Sequence, residues 1–207
     1  DTPTVRVGNR TQIQGKTVHV SGTLDAVDKA GRKTETAYQL AKAGQELKRD
    51  MEKTILGNVI QSAGTASAAR ALGSIQTWLL TNFVSEGTGG APAGPVGGNG
   101  TAVRTSAGSG NYGAFEEGKL KEAVKSCFEN GGNPTLLVVP PTQKQAVSAF
   151  AGIAAQRFQA PADKQTTIIG AADVYMSDFG TLSVVPDRFM TADGGTGGGE
   201  QALLLDP

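Results

Sequence analysis

The spacing of apolar and polar positions changes along this chain, and the changes mark its elements. Over residues 16–21 (KTVHVS), Val18 and Val20 alternate with Thr17, His19 and Ser21, the two-residue period of a half-buried strand. Val5, Val7, Thr11 and Ile13 suggest a partner strand, with Gly8 and Asn9 as turn residues. Thr23 fits the N-cap of a short helix running to Ala30, where Gly31 stops it. From 32 to about 63 the period lengthens. Ala37, Leu40, Gly44, Leu47, Met51, Ile55 and Val59 step by three and four, so they share one stripe of a long helix. Glu35, Gln39, Lys42, Glu46, Arg49 and Lys53 lie opposite. At 1.5 Å per residue this helix would be about 45 Å long, beyond the ~30 Å breadth of a small domain. It is expected to lie across something larger than its own core. Shorter helical pieces are expected at 68–72 and 75–83.

The second half mixes both periods. Leu120, Ala123, Val124, Cys127 and Phe128 fall on one face of a helix over 116–130, which Gly131 and Gly132 end. The unbroken apolar run at 135–139 (TLLVV) predicts a strand buried on both faces. Pro140 and Pro141 end it and open a helix to about 155. Residues 166–169, 174–177, 182–185 and 202–205 read as further short strands, separated by Gly170, Gly180 and Pro186. The order is that of an α+β fold, not of an alternating nucleotide-binding sheet.

Composition narrows the function. Lys and Arg number 19, as do Asp and Glu, so the formal net charge is zero and no bulk positive field draws the chain onto nucleic acid or anionic lipid. One Cys and one His leave no disulfide framework and almost nothing for zinc. No apolar run approaches the roughly 18 residues of a membrane span, and no signal peptide is evident. Glycine is the excess: 29 of 207 residues, about twice the usual ~7%. Ten lie between Gly87 and Gly113 and five in 194–199, two stretches that read as flexible surface loops.

The chemical motifs are weak. Gly15-Lys16-Thr17 ends like a phosphate-binding loop, but the earlier glycine is replaced by Arg10 and a strand pattern follows instead of a helix. Gly108, Gly110 and Gly113 match GxGxxG within a Gly-rich tract, where chance matches are expected. His19 and Cys127 are a conceivable base and nucleophile, yet each fits better as an ordinary strand or helix residue. Asp25 and Asp28, like Glu116 and Glu117, read as first-turn acids that complement helix dipoles. Asn9-Arg10-Thr11 and Asn99-Gly100-Thr101 fit the glycosylation pattern without any sign of secretion. Lys29, Arg32 and Lys33 form a small basic cluster, read as a solvated face or a subunit or nucleic-acid contact. No catalytic, cofactor-binding or metal site is assigned, and no enzyme activity is expected.

Three stretches, in order, carry a resemblance. Residues 2–58 (TPTVRVGNRTQIQGKTVHVSGTLDAVDKAGRKTETAYQLAKAGQELKRDMEKTILGN), 131–154 (GGNPTLLVVPPTQKQAVSAFAGIA) and 168–190 (IIGAADVYMSDFGTLSVVPDRFM) resemble tailed-phage major capsid proteins of the SU10 type, and ALLLDP at 202–207 fits their return strand. The resemblance implies the HK97 capsid fold. Its spine helix would be 32–63, within a peripheral domain of 1–63 and 187–207. An axial domain would span 64–186 and contain the Gly-rich loop 87–113. It implies a structural protein that self-assembles into hexamers and pentamers of an icosahedral shell around double-stranded DNA, assembled in the host cytoplasm and located in the virion. DNA contact would be weak and non-specific, and scaffolding, portal or decoration proteins are possible partners. The family carries an arm and extended loop upstream and further sequence downstream, so a chain running from Asp1 to Pro207 is expected to be a processed or partial subunit. The alternatives are a non-viral shell of the same fold around protein cargo, and a soluble enzyme binding phosphate through its Gly-rich loops.

Overall fold

A computed structural model describes residues 6–28, 30–84, 98–103, 114–150, 173–190 and 201–207. The elements are α1 (Gly22–Ala26), α2 (Glu35–Leu56), a single 3₁₀ turn (Ile75–Thr77), α3 (Glu117–Glu129), β1 (Leu136–Val139), α4 (Pro141–Ser148), β2 (Val174–Ser177), β3 (Gly180–Pro186) and β4 (Leu203–Leu205). The mixture of helices with one sheet is the expected α+β class. The strand predicted at 166–169, the loop at 194–199 and most of the Gly-rich tract lie outside the described residues.

The sheet runs β2-β3-β1-β4. β1 pairs parallel with β3 and antiparallel with β4, while β2 and β3 form a hairpin. β1 is apolar throughout because it has no wet face. Leu137 and Val139 point into a core with Leu120 and Val124 of α3, Val147 of α4, Phe150, Tyr175, Leu182 and Val184. Val138 points the other way, joining Met190 and Leu203 with Leu56, Leu79, Leu136 and Leu205 packed against them. Leu56 is the last residue of α2, so this second cluster ties the long helix to the sheet.

Several expectations need correction. The helix predicted over 32–63 is shorter, 22 residues ending at Gly57, whose N–H donates to the Lys53 carbonyl. That makes it about 33 Å long. Residues 16–21 alternate in exposure as an extended segment does, but neither they nor residues 6–13 form a ladder. The helix cap is Ser21, whose hydroxyl accepts from Leu24 N–H, not Thr23, and α1 stops at Ala26. Residues 68–72 are not helical. Their small side chains offer no apolar face, the Thr65 hydroxyl accepts from Ala68 N–H, and Ala71 bridges to Ser62. The expected 75–83 helix is only the 3₁₀ turn, closed by the Thr77 hydroxyl donating to the Ser74 carbonyl. α4 ends at Ser148, and Phe150 turns back into the core.

The described piece of the Gly-rich tract is packed, not loose. Gly100 is buried at φ +78°, and its peptide is held on both sides: its N–H donates to the Thr77 carbonyl and its carbonyl accepts from Gln61 N–H. A Cβ there would stand 2.8 Å from the Trp78 ring. Gly100→Ala is therefore expected to cost about 1–3 kcal/mol from left-handed strain alone. Denaturant unfolding followed through Trp78, the single tryptophan, reads this; an unchanged midpoint would refute the packing.

Tyr175 joins the sheet to α3. Its hydroxyl donates to Glu117 Oε1 (3.1 Å), which Lys121 also contacts at 2.9 Å. The Lys121 hydrogen bond, helped by Tyr175 and opposed by burial, holds the Glu117 carboxyl below its usual range. Burial first, then the Glu117 bond, pushes Tyr175 up to about 12. A depressed acid stabilises the fold above its unfolded value near ~4.3 and loses that contribution as pH falls through the folded value. A raised tyrosine stabilises below its unfolded value near ~10 and loses that contribution as pH rises through the folded one. The expected profile is a plateau near neutrality that falls at both ends, with one late phenol step in ultraviolet titration near pH 12 that Tyr175→Phe removes.

Candidate assembly interface

The long helix is held by its polar side. Its N-terminus is capped from outside: Asp25 Oδ1 accepts from the N–H groups of Glu35 (2.8 Å) and Thr36 (3.2 Å), and Oδ2 accepts from the Thr36 hydroxyl (3.0 Å). Asp25 is an acid of its own short helix, as expected, and its carboxylate also caps the next one. Arg32 forks onto both Glu35 oxygens and lies 4.3 Å over the Tyr38 ring. Gln39 donates to Glu35, Lys16 pairs with Glu46, and Gln14 donates to the Thr54 hydroxyl. Glu35 and Ala43 are buried, and Gln39, Glu46 and Thr54 are half-buried.

The apolar stripe consequently faces out. Leu40 is 66% exposed, Met51 51% and Ile55 39%, with Leu47 half-buried between them. The periodicity located the stripe but not the direction it faces. Immediately after the helix, Val59 and Ile60 are exposed as well. A second apolar surface lies on the sheet body. Phe128, expected on the buried face of α3, is 53% exposed and pairs with Phe179 of the β2–β3 turn at 4.9 Å between ring centres.

Among the described residues, none of the chemical motifs assembles into a reaction centre. Lys16 is spent on Glu46, and no helix follows it to present N–H groups to a phosphate. Gly108, Gly110 and Gly113 lie outside the described residues, as does Lys29 of the basic cluster. His19 is exposed on the extended segment, and no hydrogen bond joins it to Cys127. Burial, with the Asp206 carboxylate adding to it, pushes the Cys127 thiol up, which keeps it protonated and a poor nucleophile. Asp28 is exposed, and Glu116 sits at the N-cap of α3 without a side-chain cap bond. A cavity of about 440 Å³ is lined by Gly8, Asn9, Arg10, Gln61, Ala63 and Thr101, with Arg10 its one charged lining residue among those described. Among the described residues, no cluster of His, Cys, Asp or Glu could hold a metal, and no helix is long and apolar enough to cross a membrane.

A chain that holds its longest helix by the polar side and leaves apolar surface open is built to be completed by other molecules, as subunits of assemblies are. A family model for the SU10 major capsid protein matches residues 1–207, and the chain belongs to that family. It is similar to the major capsid protein of Escherichia phage Phieco32, 50% identical over 54 residues. That alignment spans 26% of this chain and 15% of the phage protein's length.

The placement of α2 depends on its cap. Asp25→Ala is expected to cost about 0.5–2 kcal/mol, the scale of a lost helix cap. The first turn of α2 should lose amide protection in hydrogen exchange while β1 keeps its own. Equal loss in both would show that Asp25 does not act through the helix end.

Proposed function

We propose that the chain builds the icosahedral shell of a phage head with the HK97 fold, as hexamers and pentamers of identical copies enclosing double-stranded DNA. In this reading α2 is the spine helix of a peripheral domain formed by 1–63 and 187–207, and 64–186 is the axial domain. Assembly in the host cytoplasm, and scaffolding, portal or decoration partners, belong to the same reading. The observation that carries it is the outward stripe of Leu40, Met51 and Ile55 on α2. Fully burying such side chains gains about 1.5–3 kcal/mol each, enough for a contact that is weak singly and strong when repeated. In a closed shell each later contact is effectively intramolecular, so modest interfaces add to a stable whole. Zero net charge suits the task. Like copies do not repel one another through a net field, and the shell has no bulk charge with which to grip DNA. The work is assembly, and no catalytic step is required of any residue.

The test is size-exclusion chromatography and electron microscopy of the protein, with Leu40→Glu/Met51→Lys beside it. The native protein should form closed particles, and the variant should stay unassembled with its helical circular dichroism intact. Native protein that is monomeric under all conditions, or a variant that assembles equally well, would overturn the reading.

A further inference from the structure

We propose that the extended segment of residues 6–20 is one half of a strand pairing between copies of this chain, its other half being the free edge of β2 in a second copy. The inference rests on the shell reading and specifies one of its contacts. Along the segment, exposure alternates as in a strand. Gln12, Gln14, Val18 and Val20 turn toward the chain, while Thr11, Ile13, Thr17 and His19 turn outward, Ile13 being 85% exposed. The chain holds the segment only by side chains: Asn9 to the Gly73 backbone, Gln12 to Leu72 N–H, Gln14 to Thr54 and Lys16 to Glu46. Among the described residues, the backbone N–H and C=O groups of residues 11–20 have no hydrogen-bond partner. A residue pattern with strand propensity and an open ladder is a template for another strand.

The sheet offers a matching edge. Among the described residues β2 pairs with β3 alone, and on its exposed face Val174 is 56% and Met176 81% exposed. Charge decides between this edge and the other. The segment carries Arg6, Arg10 and Lys16 and no acid, and β2 is flanked at both ends by acids, Asp173 and Asp178. An antiparallel register with Ile13 opposite Met176 sets Thr11, beside Arg10, opposite Asp178, while Lys16 and Asp173, also opposite one another, keep their partners Glu46 and Lys144. Among the described residues neither Arg10 nor Asp178 has an ion pair. β4, the opposite edge, is three residues long, and the acid that follows it, Asp206, already accepts from Asn133 N–H. Segment-to-β2 pairing is heterologous, so it propagates around a ring, as a capsomer requires.

The pairing is tested in particles formed from mixed single-cysteine proteins, Ile13→Cys and Met176→Cys, each also carrying Cys127→Ser. Oxidation should give a mixed dimer only when both variants are present. Asp178→Lys should lower its yield about threefold, the scale of one cross-strand charge pair, and Arg10→Glu should restore it. Particles that form without the mixed disulfide, or Ile13→Cys linking to itself, would overturn the pairing and leave the shell reading standing. Failure to form particles counts against the shell reading. The pairing is then decided by a synthetic peptide of residues 8–21 added to the whole chain. It should slow amide exchange at 174–177 by about tenfold, as added backbone hydrogen bonds do, and no slowing would overturn the proposal.

Discussion

Helix α2 has two unlike sides, and the rest of the structure follows from which one the chain takes for itself. Glu35 accepts from Arg32 and Gln39, Glu46 pairs with Lys16, and Thr54 accepts from Gln14, while Asp25 caps the first turn. These contacts are polar and partly wet, so each is worth little on its own. They orient the helix more than they stabilise it. The orientation leaves Leu40, Met51 and Ile55 in water, a cost no intramolecular contact in the described structure offsets.

The sheet body keeps that arrangement fixed. β1 is buried on both faces, with α3 and α4 packed on one and Leu56, Leu79 and Met190 on the other. Because Leu56 ends α2, the helix is anchored at its C-terminal end by apolar packing and at its N-terminal end by the Asp25 cap. Gln76 adds a 2.7 Å hydrogen bond to the Leu56 carbonyl, closing one of the helix's orphan acceptors. A helix fixed at both ends and along its polar side, with its apolar side bare, is a rail on which neighbours can seat.

The body was legible in the sequence where local pattern and final environment coincide. The TLLVV run gave β1, the glycine and proline punctuation gave β2, β3 and β4 to within two residues, and Gly131 ended α3 as expected at φ +85°. What could not be read is direction and partnership. Period three-and-four spacing assigns Leu40 and Met51 to one face but does not say whether the chain or another molecule covers it. Alternation in KTVHVS reports an extended backbone, not who supplies the ladder. Asp25 and Gly100 escaped for a related reason. Their partners, the first turn of α2 and Trp78, lie ten or more residues away, beyond the reach of motif reasoning. The family resemblance filled part of this gap by naming a class of protein whose copies meet one another.

The same logic explains why the apparent chemistry dissolves. Lys16, Asp25 and Glu117 each have a structural partner, and Cys127 is kept protonated. Methionine oxidation tests the central claim most directly, because the chain's three methionines include one in the stripe and one in the core: Met51 is 51% exposed and Met190 5%. Peroxide should oxidise Met51 rapidly in dispersed subunits and slowly in intact capsids, with Met190 slow in both. Equal oxidation of Met51 in the two states would contradict the account.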